Sequence, residues 1–190
     1  ERVMSLPLAI DNQPFLALRG SRSTRASAST LVVFVGTFIP LHGVDVIVEA
    51  VEKLSDRPDI EIKFIGRGQL GPQIEALIEK KKLSRIQWIR EWQTLEQIAA
   101  HIAEADICLG IFGGGGKSAR VLPFKLYYAM AAGKAIISQA PMSVPKGLPD
   151  PPYLGIDGED GRDRAGELAI AIRELADDPP PARALGARPG

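Results

Sequence analysis

From residue 31 to residue 176, short apolar runs rich in β-branched residues alternate with segments of helical period. No other feature constrains the fold as tightly. Residues 31–35 are apolar throughout and end at Gly36, as a strand covered on both faces must read. Val44, Ile47, Val48, Val51 and Leu54 then recur on one helical face. The same pairing repeats down the chain. Strands are predicted at 61–65, 86–89, 106–111, 135–138 and 153–156. Helices are marked by Ile74, Leu77 and Ile78, by Leu95, Ile98, Ala99 and Ile102, and by Ala165, Leu168, Ile172 and Leu175. Another is expected to open with Pro123 as its first residue and run to about residue 132. Strands that alternate with helices predict an α/β domain, a doubly wound parallel sheet with right-handed crossovers. There is no internal repeat.

The flanks read differently. Residues 18–30 are mostly Arg, Ser, Ala and Gly and are expected to be a flexible loop. Residues 177–190 are rich in Pro, Ala, Arg and Gly and are expected to be a disordered or truncated tail. Pro179, Pro180 and Pro181 exclude a continuing helix there. Lys+Arg and Asp+Glu balance at 23 each, which argues against a nucleic-acid groove. The single cysteine, Cys108, excludes an internal disulfide framework and fits a reducing compartment. No apolar run approaches the roughly 18 residues of a membrane span. The start of the chain is unlike a signal peptide and carries no initiator Met, so a processed chain or a fragment is expected.

In a doubly wound sheet, ligands bind beyond the carboxyl ends of the strands. Gly36, Gly66, Gly68 and the glycines 113–116 all fall there. The turn after the first strand lacks the G-x-G-x-x-G of a dinucleotide site. A P-loop would need glycine where Phe112 stands. What remains is the loop 112–122, four glycines followed by Lys117, Ser118 and Arg120, leading into a helix that carries Lys125. Glycines let backbone N–H groups approach a ligand, and a helix N-terminus favours an anion. A diphosphate suits that combination. The plain alternative is a surface loop with solvated cations.

These residues carry a resemblance. Phe34-Val35-Gly36-Thr37-Phe38-Ile39-Pro40-Leu41-His42-Gly43 looks like the opening of the C-terminal domain in glycosyltransferase family 4. Phe64-Ile65-Gly66-Arg67-Gly68 resembles the family's second strand and turn, and Ala105-Asp106-Ile107 the approach to its fourth strand. Residues 123–137 resemble its most diagnostic stretch, and residues 3–15 the segment linking its two halves, so residues 1–17 are expected to be an interdomain connector. The resemblance implies the C-terminal half of a GT-B fold, whose Rossmann-like domain at 31–176 holds a nucleotide-diphosphate sugar. It implies retaining transfer of that sugar to an acceptor hydroxyl, with no metal ion and no cofactor beyond the donor substrate. The implied partners are an N-terminal GT-B domain missing here, the nucleotide sugar, and a glycan or lipid-linked acceptor. The implied place is the cytoplasm, peripheral to the inner membrane face. This domain alone is expected to be inactive.

Carried onto this sequence, the resemblance gives donor diphosphate and sugar contacts to Gly36, Thr37, His42, Gly115, Gly116, Lys117, Arg120 and Lys125. It gives nucleoside contacts to Gly66, Arg67, Gly68, Trp92 and Tyr128. The family's usual Glu-x7-Glu pair is replaced by Arg120 and Tyr128, and its usual Arg and Lys in the first loop by Thr37 and His42. No catalytic residue is therefore assigned. Some subgroups carry Thr and His in that loop, and this chain is similar to them. Lys80, Lys81 and Lys82 read as a solvated helix end, with contact to an anionic membrane as the alternative. Two other functions fit the architecture. A nucleotide-sugar epimerase would need cleft carboxylates, for which Glu91 is the nearest candidate. A non-catalytic nucleotide-sugar-binding or assembly module would tolerate the missing Glu pair.

Overall fold

Six parallel strands pair into one sheet in the computed structural model. They are β1 (Thr30–Val35), β2 (Ile60–Ile65), β3 (Ile86–Ile89), β4 (Ile107–Leu109), β5 (Ala135–Ala140) and β6 (Leu154–Asp157). Their spatial order is β3-β2-β1-β4-β5-β6. Six α-helices accompany them: α1 (Gln13–Ala17), α2 (Val44–Lys53), α3 (Gly71–Lys80), α4 (Leu95–Glu104), α5 (Phe124–Ala131) and α6 (Arg164–Asp177). The structure describes residues 11–19, 29–114, 122–140, 152–157 and 163–178. The α/β class with a doubly wound, Rossmann-like parallel sheet is the expected one.

The register explains the unbroken apolar runs. Val32 aligns with Ile62 and Ile107, and Phe34 with Phe64 and Leu109. This row packs against α2, α3 and α6 in one buried cluster. The alternate row, Leu31, Val33, Cys108 and Ile136, packs with α4, α5 and α1 in the other. Both faces are covered, so neither parity can be polar. Glu61, which is exposed, and Lys63 are the exceptions in β2. Only 8% of Lys63 is exposed, and its amine pairs with Glu104 of α4 at 2.9 Å. Phe34, Phe38 and Phe64 are fully buried at the carboxyl ends of β1 and β2. Their rings meet edge to face at 5.8–6.0 Å, and each contributes about 1.5–3 kcal/mol by burial. They form the floor on which the loops above are built.

Several boundaries differ from expectation. β4 ends at Leu109, where its pairing with β1 stops. Gly110 and Ile111 continue bonding to β5, through Gly110 N–H to Ile137 and Gln139 N–H to Ile111. β5 correspondingly runs on to Ala140 and β6 to Asp157. Pro123 is the cap preceding α5, in an extended conformation (φ −74°, ψ 147°), so the helix starts at Phe124. Residues 12–19, expected as connector and loop, include the short helix α1. Its Phe15 is fully buried and lies flat on the ring of Tyr128 at 4.4 Å. Most of the expected loop 18–30, the tail 177–190 and residues 1–10 lie outside the described residues. Among the described residues, no helix is long and apolar enough to cross a membrane.

Three polar devices hold the sheet edge. Thr94 caps α4 by accepting from Gln97 N–H, and the Gln97 side chain accepts from Thr94 N–H in return. Gln139, buried in β5, grips Gly114 twice. Its carbonyl accepts from Gly114 N–H at 2.9 Å and its amide donates to Gly114 C=O at 3.0 Å. Ser138 Oγ likewise accepts from Ile111 N–H at 3.1 Å. Thr94→Ala is expected to lower unfolding free energy by about 1 kcal/mol in urea. Gln139→Leu, which strands two buried backbone groups, is expected to cost about 1–3 kcal/mol. An unchanged midpoint for Gln139→Leu would contradict the role given to that side chain.

Candidate functional site

Helices α2 and α3 lie on one face of the sheet and α4 and α5 on the other. The change of face falls between β1 and β4, and there the two strands part at their carboxyl ends. A crevice at such a point is where doubly wound sheets bind ligands. Its walls are the loop after β1 and the loop after β4, packed backbone to backbone. Phe112 N–H donates to His42 C=O at 3.1 Å. Gly43 adopts the left-handed region (φ 60°), and a Cβ there would run into the Phe112 backbone. Arg164 of α6 fixes the far side, donating to Phe112 C=O at 3.0 Å. The loop carrying His42 is thus clamped.

Lys125 reaches into this crevice from the first turn of α5. Its Nζ is shielded from solvent and has no hydrogen-bond partner. It sits 4.0 Å over the Phe34 ring and 2.6 Å from where a Cβ on Gly36 would be. Burial drives its pKa far below the usual lysine range. A charged amine here meets a ring face and no anion. A Cβ at position 36 would crowd this amine. The surroundings ask for negative charge twice over. Among the described residues no side chain caps α5, and no acidic residue occupies its first turn, where the leading N–H groups and the positive dipole end favour an anion.

His42 lies beside the same amine. Its Nδ1 bonds to Thr37 C=O, and its ring meets Phe34 edge to face at 6.1 Å. Burial, and then the neighbouring Lys125 charge, lower its pKa to about 4 against a smaller raising effect of the Thr37 bond. The imidazole is neutral near pH 7.

Through Gly36 and Thr37 the crevice opens into a cavity of about 520 Å³. Its floor is apolar: Val35, Ile65, Leu95 and Ile98. Its rim carries Arg67, Arg90, Glu91, Trp92 and Gln93. Arg90 is held over the Trp88 ring at 4.0 Å and donates to Glu75 at 2.6 Å. Trp88 in turn donates from Nε1 to Gly66 C=O at 2.8 Å and stacks on Phe38 at 4.7 Å. Trp92 is 84% exposed at the rim. Because Thr94 occupies the start of α4, that helix end is not open to an anion. The cavity therefore offers a flat apolar floor with polar edges, while the crevice offers the unpartnered Lys125 amine.

The structure gathers Gly36, Thr37, His42 and Lys125 in one crevice, and Gly66, Arg67 and Trp92 around the adjoining cavity. Gly68 is not in the lining and packs on the Phe38 backbone. Tyr128 is not there either, its ring lying against Phe15 in the α4–α5 cluster. Gly115, Gly116, Lys117 and Arg120 lie outside the described residues. Sequence reading missed Arg90 and Gln93 at the rim and Leu95 and Ile98 in the floor. The last two had been assigned only to a helix face.

Comparison with known proteins gives this geometry a family. The model of the family "Glycosyl transferases group 1" matches residues 29–178. The MMP alpha-(1->4)-mannosyltransferase of Mycolicibacterium hassiacum is 25% identical over 98% of this chain and 42% of its own length. An uncharacterized glycosyltransferase of Methanocaldococcus jannaschii is 38% identical over 39% of the chain and 20% of its own length. The chain thus spans less than half of either relative. Among solved structures, the C-terminal domain of the group 1 glycosyl transferase LpcC from Francisella tularensis matches with a TM-score of 0.66. It is 16% identical, with 90% of this chain and 89% of that one covered. Anabaena HepE, solved in complex with UDP and glucose, matches with a TM-score of 0.62 at 16% identity over 80% of this chain and 40% of its own. At those identities the likeness shows the fold, that of GT-B C-terminal domains. The family match covers most of the chain, and the chain belongs to the group 1 glycosyl transferases.

Proposed function

We propose that this chain is the donor-binding half of a two-domain glycosyltransferase, holding a nucleotide-diphosphate sugar while an N-terminal GT-B domain presents the acceptor hydroxyl. The observation that carries the reading is the unpartnered Lys125 amine beside Gly36, which itself lines the apolar cavity. A nucleotide diphosphate has the matching polarity. Its base suits the floor of Val35, Ile65, Leu95 and Ile98, with Arg67, Arg90 and Trp92 at its edges. Its diphosphate suits Lys125 and the open start of α5. Gly115, Gly116, Lys117 and Arg120 are assigned to the same diphosphate by their place in the sequence, just ahead of that helix.

The chemistry asked of this half is stabilisation of a leaving diphosphate. A buried cation and free helix amides gain strength where water is excluded, and they cost no reorganisation during the reaction. The resemblance adds retention of configuration and independence from a metal ion, with Lys125 and the α5 amides meeting the leaving charge. The acceptor, a glycan or lipid-linked sugar, and any contact with a membrane surface belong to the same proposal. A second reading has one observation in its favour. Tyr128, where the family usually has a ribose-binding carboxylate, is taken up by Phe15, which fits a nucleotide-sugar-binding module without turnover.

Calorimetric titration with UDP, GDP and ADP tests the reading, and one of the three is expected to bind. Lys125→Met is expected to weaken that diphosphate by about tenfold or more while changing nucleoside affinity little. Equal loss for both would remove Lys125 from the phosphate site. No heat with any diphosphate would remove the site itself. Incubated with donor and acceptor, this chain alone is expected to turn over no sugar. Turnover would contradict the division of labour.

The depressed pKa of Lys125 gives a linked prediction. Free, the amine binds its proton weakly. Beside a diphosphate its pKa rises, so binding takes up a proton at any pH between the two values. Calorimetry at about pH 8, above a phosphate's own last pKa of about 6, should show heats that vary with buffer ionisation enthalpy in the sense of uptake. Lys125→Met should abolish that variation. Proton release, or buffer-independent heats in the parent chain, would contradict the assignment.

A further inference from the structure

His42 occupies the place where the resemblance would put a phosphate-binding cation, yet its bonding is not that of a cation. Nδ1 faces the Thr37 carbonyl, and a carbonyl only accepts, so Nδ1 carries the ring proton. In a neutral imidazole the other nitrogen is then a lone pair. Lys125 stands close enough to oppose a second positive charge on the ring. No carboxylate among the described residues contributes to the electrostatics of His42. The ring is oriented by the Nδ1 bond to Thr37 and by its edge-on contact with Phe34. Cε1, the carbon between the two nitrogens, lies 3.3 Å from where a Cβ on Gly36 would be, so this edge of the ring borders the crevice.

With the ring neutral, a phosphate oxygen at Nε2 would meet a lone pair and be repelled. A hydroxyl would find an acceptor. We propose that His42 reads a hydroxyl of the transferred sugar, accepting its hydrogen bond at Nε2, and leaves the diphosphate to Lys125 and the α5 amides. The proposal rests on the nucleotide-sugar reading above and adds a division within it. Two adjacent side chains serve different parts of one donor, because one offers protons and the other has committed its only proton to Thr37.

The test compares a nucleoside diphosphate with its sugar conjugate. UDP with UDP-glucose, GDP with GDP-mannose and ADP with ADP-glucose are titrated into the chain and its His42 variants. His42→Phe keeps the ring contact with Phe34 and removes both nitrogens. It is expected to cut the affinity ratio of the sugar conjugate to the bare diphosphate by about three- to tenfold. His42→Gln, which can place an amide oxygen near the Nε2 position, should restore part of that ratio. His42→Asn, too short to do so, should not. Long-range proton–nitrogen NMR of the imidazole should show the proton on Nδ1, with Nε2 changing on addition of the sugar conjugate and not of the bare diphosphate. An unchanged ratio in His42→Phe, or Nε2 responding equally to both ligands, would overturn the proposal while leaving the donor site standing. Binding of no nucleoside diphosphate by the parent chain would overturn both.

Discussion

A parallel sheet buried on both faces can be wound only by carrying helices first over one face and then over the other. Here α2 and α3 take the first face and α4 and α5 the second, and the reversal separates β1 from β4 at their carboxyl ends. Everything chemical in the domain follows from that parting. The Lys125 amine lies there above the Phe34 ring. The loops after β1 and β4 come together, so that Gly43 is left-handed and has no room for a Cβ against the Phe112 backbone. The site is the unfilled end of the winding, and its residues are those that the two loops and the start of α5 bring to it.

The charges in that crevice are governed by burial more than by pairing. Lys125 has a ring beneath it and no anion. His42 is neutral first because it is partly buried and then because Lys125 stands beside it. Such groups are destabilising by themselves, since an unpaired buried cation costs several kcal/mol unless it gives up its proton. Their retention is understandable where a ligand supplies the missing partner. The ion pairs elsewhere serve other ends. Arg173 with Asp56 and Arg57 with Asp177 join the end of α6 to the turn after α2, exposed and of small energetic weight.

Much of the fold was legible because periodicity reports burial directly. The run at residues 31–35 reads as a doubly covered strand, and Val44, Ile47, Val48 and Val51 as one helix face, with no knowledge of their partners. The places where reading failed depend on contacts between distant segments. β4 looked longer than it is because Gly110 and Ile111 are apolar, yet they follow β5 away from β1. The stacking of Phe15 on Tyr128 has no local signature, so a residue placed in the site by resemblance lies in a hydrophobic cluster instead. Gln139 lies just beyond the strand expected at 135–138, and only the fold shows Gly114 in its grip. For the site, glycines and cations at strand ends were readable because backbone approach and charge are written in residue type. The cavity floor was not, since Leu95 and Ile98 have the composition of any helix face.

The account rests on one ligand spanning crevice and cavity. Amide chemical-shift mapping of the isotopically labelled chain during titration with UDP, GDP and ADP tests it most directly. The account predicts that one of them perturbs Gly36, Thr37, Phe124 and Lys125 together with Gly66, Arg67 and Trp92, all saturating on a single isotherm. Perturbations confined to one of these two groups, centred elsewhere on the sheet, or absent with all three nucleotides would contradict it.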